Sequence, residues 1–377
     1  MGLRLGISFW VVAVCTAGRV IAGTVLDAKP GTFNSSEQCG SCHRDIFGAW
    51  KKSAHARAVE DPLFIDAMRE LSASGGDVQI CLRCHAPTVG ITKDFGLEKK
   101  ISWEGVTCDY CHSITALGVD TTARPTVRPG ETKFGPIHDA QSGEHDTAFR
   151  DYFSRSELCA ECHEYTNPQG LALLTTYSDW KASSWATNGK SCQSCHMFEV
   201  GANVVDPKIQ RVPNAPVNLH AMPGGHTIDQ LNKALSVKAR VHRSGETLSM
   251  DVDLINVGAG HSIPTGSAAR QILLEIRVDG SSGKAHQATR TYDRVLTDAA
   301  GVPLSRDVEF FSRAAKVKSD TRIAAGKTRT EHFDFDIGTG SIANVKLRLL
   351  YRSMPDPRRP AGEGQVFYTQ SWTVPPS

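Results

Sequence analysis

The unit Cys-x-x-Cys-His occurs five times in this chain, and no other feature constrains the fold as strongly. The copies are Cys39/Cys42/His43, Cys81/Cys84/His85, Cys108/Cys111/His112, Cys159/Cys162/His163 and Cys192/Cys195/His196. They use ten of the eleven cysteines. In an exported chain ten cysteines would usually suggest five disulfides. Disulfides give no reason for a histidine after every second cysteine. Zinc ribbons need neither that histidine nor an odd number of pairs, and a redox dithiol is not repeated five times. The unit is the attachment site of c-type haem. Two thiols add to the two vinyl groups of the porphyrin, and the adjacent histidine lies beneath the ring as the proximal iron ligand. Five c-type haems are therefore expected.

All five units fall between residues 35 and 230, which leaves about 40 residues per haem. That is too little chain for a side-chain core around each site, so the porphyrins must supply much of the buried apolar surface. Packed so densely they must lie near one another, and such a row conducts electrons.

The chain has 377 residues, enough for more than one core. Its first 23 residues read as a signal peptide: Arg4, an apolar run from Leu5 to Ala17, then small residues at Ala22 and Gly23. The run is short for a membrane span. Export to the periplasm or the extracellular space follows, with an uncleaved leader as the only membrane attachment to consider. Cleavage would remove Cys15, Arg4 and Arg19 and no acidic residue. The 42 Lys and Arg would then fall to 40, equal to the 40 Asp and Glu. A formally neutral polypeptide offers no clustered basic surface for nucleic acid.

Periodicity divides the remainder. Ile46, Trp50 and Ala54 recur at helical spacing, so 44–58 is expected to be a helix. Trp50-Lys51-x-Ser53-x-His55-Ala56 is echoed weakly by Trp180-Lys181-x-Ser183-x-Trp185-Ala186. Pro and Gly punctuate 121–136 as a loop and 201–225 as a passage to a second domain. Beyond residue 232 the pattern alternates: Leu235, Val237, Ala239 and Val241, then Leu248, Met250, Val252 and Leu254. Further strands are expected at 271–278, 330–337 and 345–351. The fold class is thus a mostly α/irregular multihaem cytochrome domain over 35–230, followed by an all-β, sandwich-like domain over 232–377.

Nine histidines lie outside the motifs. A low-spin electron carrier needs a second axial ligand on each iron, whereas an enzyme acting on a small ligand leaves one open. His55 in a helix would stand about 18 Å along the axis from His43, so it should serve a neighbouring haem. His145, His220 and His226 flank the last two motifs and are further candidates, with His138 as a substitute. His261 sits in NVGAGHSIPTG, a loop after a strand, from which it could project toward the haem domain. His242 and His332 occupy the polar phase of their strands, and His286 reads as a loop tip. Met222 is a weaker candidate ligand.

The stretches CGSCHRDIFGAWKKSAHARA, GVTCDYCHSI, SELCAECHEYTNPQG, TTYSDWKAS, GKSCQSCHM and GAGHSIPTG together resemble exported multihaem c-type cytochromes. The resemblance covers about 35–266. It points to relatives of the tetrahaem cytochrome that takes electrons from hydroxylamine oxidation, and to extracellular cytochromes that polymerise into filaments. It implies low-potential, bis-histidine haems in close stacks, passing electrons between redox proteins. It supports His55 as a distal ligand, and more loosely His145, His220 and His261. In the filament-forming relatives a ligand can come from the next subunit, which makes self-association an open partner question. Five motifs instead of four prevent a haem-by-haem transfer of pairings. The alternative function is a multihaem oxidoreductase acting on a small nitrogen or sulfur compound at an open haem. Pentahaem nitrite reductases carry a Cys-x-x-Cys-Lys unit, and this sequence has none.

Overall fold

Residues three and four apart on a helix share a face, so one helical turn presents both thiols and the histidine of a motif together. The computed structural model builds all five motifs this way. They lie in or at the ends of the helices Ser36–Cys42, Gln79–His85, Cys108–Cys111, Glu157–His163 and Cys192–His196. The structure describes residues 31–118, 124–209, 215–280, 285–338, 342–354 and 364–376. The expected signal peptide, with Cys15, lies outside them. No helix among the described residues is long and apolar enough to cross a membrane.

Local chemistry starts these helices. Ser35 and Gln38 form a reciprocal capping box on the first. The Thr107 hydroxyl accepts from the Tyr110 amide (3.0 Å) on the third. Residues between the cysteines anchor the turns from below. Leu82 is fully buried, as is Asp109 to within 1%. Asp109 accepts from the Asn34 amide (2.7 Å), the Ser113 hydroxyl (3.1 Å) and the Lys133 ammonium (2.6 Å). A carboxylate so buried requires such partners.

The helix expected over 44–58 ends at Trp50. Its continuation is a run of turns, because outside groups take over the backbone. The His55 carbonyl accepts from the Val106 amide (3.0 Å), and the Ser53 hydroxyl accepts from the Ala56 amide (3.3 Å). The passage over 201–225 holds an antiparallel pair, Glu199–Ala202 with Ala215–Asn218.

Side-chain cores in the haem-motif region are small. One gathers Val59, Phe64, Leu82, Ala86 and Val89, and another Phe33, Tyr110, Ile114 and Tyr152. The C-terminal region differs. Its strands are β1 (Leu235–Ser244), β2 (Thr247–Asn256), β3 (Gln271–Gly280), β4 (Ala285–Tyr292), β5 (Arg294–Thr297), β6 (Lys316–Asp320), β7 (Thr328–Asp336), β8 (Ala343–Arg352) and β9 (Gln365–Val374). They form an antiparallel three-stranded sheet in the order β7-β2-β1 and a four-stranded sheet in the order β4-β3-β8-β9, with β5 and β6 paired separately. Leu248, Met250, Val252 and Leu254 on β2 are completely buried and share one core with Ile272, Leu274 and Ile276 of β3 and Leu347 and Leu349 of β8. Each such side chain contributes about 1.5–3 kcal/mol by burial. His286 lies on β4 opposite Val278, where the sequence suggested a loop tip.

The excursion through β5 and β6 clasps the haem-motif region. Leu296, Leu304 and Phe310 pack with Tyr165 and Leu173. Arg294 donates to the Ala172 carbonyl (2.9 Å), and Asn167 to the Ala314 carbonyl (2.7 Å).

A candidate multihaem site

One continuous cavity of about 2190 Å³ runs through the chain. A single cofactor or ligand pocket is roughly 300–1,000 Å³, so this space suits several large groups. All ten motif cysteines line it, as do His43, His55, His85, His112, His145, His163, His196, His220, His226 and His261. His138 does not; it stacks on Phe149 at 3.5 Å. His242 and His332 are exposed.

The histidines meet in pairs across this cavity. Ring centroids are 6.3 Å apart for His43 and His145, 6.1 Å for His55 and His163, 6.3 Å for His112 and His220, and 6.3 Å for His196 and His261. Two metal–nitrogen bonds of about 2 Å, with about 1 Å from each nitrogen to its ring centre, sum to roughly 6 Å. Each pair is therefore spaced for one iron between two imidazoles. Among the described residues no three His, Cys, Asp or Glu side chains converge as they would on a directly bound ion. Two imidazoles alone leave the equatorial positions to a macrocycle, and the ten thiols, all free, stand by to attach it. The residues fit haem.

His55 thus faces the fourth motif and not His43, twelve positions away from it in the chain. His85 stacks on Phe64 (4.2 Å, 15°), and among the described residues no second histidine ring lies at pairing distance from it. His226 lies on the cavity wall, and among the described residues no ring partner stands at that distance from it.

Burial favours the neutral form of His55, His163 and His220, the form that donates to a metal. It pulls His163 down to about 3, and His55 and His220 to about 4. The far nitrogen, Nδ1, is held in almost every case by a backbone carbonyl. The motif histidines His43, His85, His112 and His196 use those of Val204 (2.6 Å), Ala58 (2.9 Å), Phe134 (2.6 Å) and Pro223 (2.6 Å). His145, His220 and His261 use those of Asp146 (2.9 Å), Asn218 (2.7 Å) and Ser262 (3.0 Å). Such bonds fix the tautomer and aim Nε2 at the metal. His55 Nδ1 instead meets the Met222 sulfur at 2.6 Å.

Thiols of different motifs lie close enough to shift one another's pKa. This closeness raises Cys39 against Cys108, Cys162 against Cys84 and Cys159 against Cys192, and lowers the second member of each pair. The first and third motifs are therefore neighbours, and the fourth adjoins both the second and the fifth.

Close packing positions two of the cavity histidines that lie outside the motifs. Gly105, at φ +66°, has no room for a side chain: a Cβ would come within 2.3 Å of the His55 carbonyl oxygen. His261 depends on the buried Asn256. That side chain donates to the His261 (2.9 Å) and Ile323 (3.0 Å) carbonyls and accepts from the Ala259 amide (3.1 Å). A Cβ on Gly260 would lie 3.0 Å from Trp180 and 3.1 Å from Trp185. The second copy of the Trp-Lys-x-Ser echo thus seats the loop that carries His261. Asn256 drew no attention in the sequence, since an asparagine at a strand end reads as ordinary turn chemistry.

Residues 38–113 match the family described as Cytochrome c554 and c-prime. Among solved structures, the chain is similar to a penta-haem cytochrome c552 from Thermochromatium tepidum. The TM-score is 0.72 at 21% identity, over 92% of this chain and 100% of that one. Over 38% of its length it also matches the sporulation control protein Spo0M from Bacillus subtilis (49% of that chain, 10% identity) and the putative ApaA protein from Bordetella pertussis (86% of that chain, 11% identity). Both have a TM-score of 0.17, too low to carry any inference. No curated protein matches the sequence. The chain has the fold of a multihaem c-type cytochrome.

Proposed function

We propose that this protein transfers electrons through five covalently attached c-type haems, four of them held between two histidines. The observation that carries it is the set of four histidine pairs, each spaced for one iron, around a single cavity lined by all ten motif cysteines. Haem supplies a one-electron iron couple. The chain fixes each group at two thiols and two imidazoles, so that coordination is the same before and after electron transfer. The assigned pairs are His43 with His145, His112 with His220, His163 with His55, and His196 with His261. His85 holds the fifth iron alone.

Residues 35–230 form the haem domain on this reading, and 232–377 a β-sandwich-like domain, supported by the single core its two sheets share. The cytochrome likeness and the N-terminal apolar run support export, to the periplasm or beyond, where the partners are other redox proteins.

A second reading has one specific observation in its favour. His85 faces no second histidine among the described residues, which leaves an axial position for a small nitrogen or sulfur compound. Holoprotein from a host that matures c-type cytochromes distinguishes the two. Electron transfer predicts five haems per chain by pyridine haemochrome and intact mass, reversible reduction and no consumption of nitrite or hydroxylamine. Fewer than five haems would overturn the count. Turnover of either compound would replace the carrier with an enzyme.

A further inference from the structure

The axial histidines are not served alike, and the two exceptions fall on one iron. Seven of the nine paired or proximal imidazoles direct Nδ1 at a backbone carbonyl. His55 directs it at the Met222 thioether, and among the described residues the His163 ring has no hydrogen-bond partner. These two rings face each other at 6.1 Å.

A hydrogen bond from Nδ1 to a strong acceptor makes the opposite nitrogen a better donor, which favours ferric iron. Thioether sulfur is a weak acceptor, and no acceptor is weaker still. The cavity setting works in the same direction, since low polarity disfavours the extra positive charge of the oxidised state. The fourth motif is also the junction: Cys162 lies beside Cys84 of the second, and Ser156 at the head of its helix accepts from the Cys192 amide of the fifth (3.0 Å).

The segment that delivers Met222 is unusual in itself. Met222 has φ +43°, rare for a residue with a side chain. The next residue, Pro223, gives its carbonyl to His196 of the fifth motif. Consecutive residues thus offer a weak acceptor to one haem and a strong one to its neighbour.

Building on the five-haem reading, we propose that the His163/His55 haem has the highest potential of the four bis-histidine haems, that Met222 is the residue tuning it, and that this haem collects electrons at the junction. Met222 acts through His55 and is a positioning residue, not a ligand.

The test is a spectroelectrochemical titration of the full holoprotein, with haems counted by pyridine haemochrome and low-spin signals followed by electron paramagnetic resonance. Loss of one low-spin signal in His55→Ala identifies the haem. Met222→Gln supplies an amide carbonyl. It should move that haem's transition downward by about tenfold in the ferric/ferrous equilibrium, or about 59 mV for one electron, and leave the carbonyl-served haems in place. Met222→Leu, with no acceptor, should leave the transition where it is or raise it. The inference falls if Met222→Gln shifts no potential, or if the His55-dependent haem is not the highest of the four. A wild-type count below five would instead overturn the functional reading on which it rests.

Discussion

At the scale of single residues, the sequence and the structure divide the work unevenly. The cysteines and proximal histidines are legible from spacing alone, because attachment needs both thiols and the imidazole on one helical turn. Distal histidines are harder to read, since they arrive from loops whose course depends on the assembled fold. His55 illustrates both sides. Its separation from the His43 iron follows from the sequence, but its partner, His163, is more than a hundred positions away. His55→Ala should therefore convert the haem of the fourth motif to high spin and leave that of the first low-spin. Magnetic circular dichroism would register the change, and a change at the first haem alone would reverse the pairing. His332 shows the opposite electrostatics from the cavity imidazoles. Asp251 and Asp334 raise its pKa above the usual 6.5. The group is charged and linked below that value, and the link is lost as pH rises through the raised pKa. Proton NMR should find its midpoint above 6.5, and a midpoint below it would contradict the contacts.

At the scale of elements, the strands were legible where alternation was strong. Leu248 to Leu254 gave β2, and all four apolar residues are buried as the pattern requires. β4 and β9 escaped notice because neither buries an alternating apolar row: only Tyr292 of β4 and Phe367 of β9 are buried. Residues 51–58 misled for another reason: their helical periodicity was overridden when Val106 captured the His55 carbonyl. The loop bearing His261 is, with the β5–β6 excursion, one of the elements on which the two regions meet. Asn256→Ala should cost about 2–3 kcal/mol by orphaning buried backbone groups, measured by denaturant unfolding of the holoprotein. Gly260→Val would push against Trp180 and Trp185 and displace His261. Its expected signature is a new high-spin signal from the fifth motif's haem with the haem count unchanged; an unaltered spectrum would remove His261 from that iron.

At the scale of the whole molecule, about 40 residues per motif already implied that polypeptide alone could not fill the N-terminal region. The structure gives that implication a form: small side-chain cores around a large cavity, braced by a β region with a conventional core. The order of contact between motifs was not legible, because it depends on which thiols lie close in three dimensions. Nor was the lack of a second histidine ring near His85 among the described residues, since counting histidines establishes supply and not placement. The proposed coordination is four irons between histidine pairs and one with a single histidine. The most direct measurement is electron paramagnetic resonance of the fully oxidised holoprotein, with spins quantified against the haem count. Four irons between histidine pairs and one with a single histidine predict low-spin signals integrating to four haems and one high-spin ferric haem whose signal shifts in His85→Ala while the four low-spin signals stay. Five low-spin haems would contradict it and place a further ligand, such as His226, on the His85 iron.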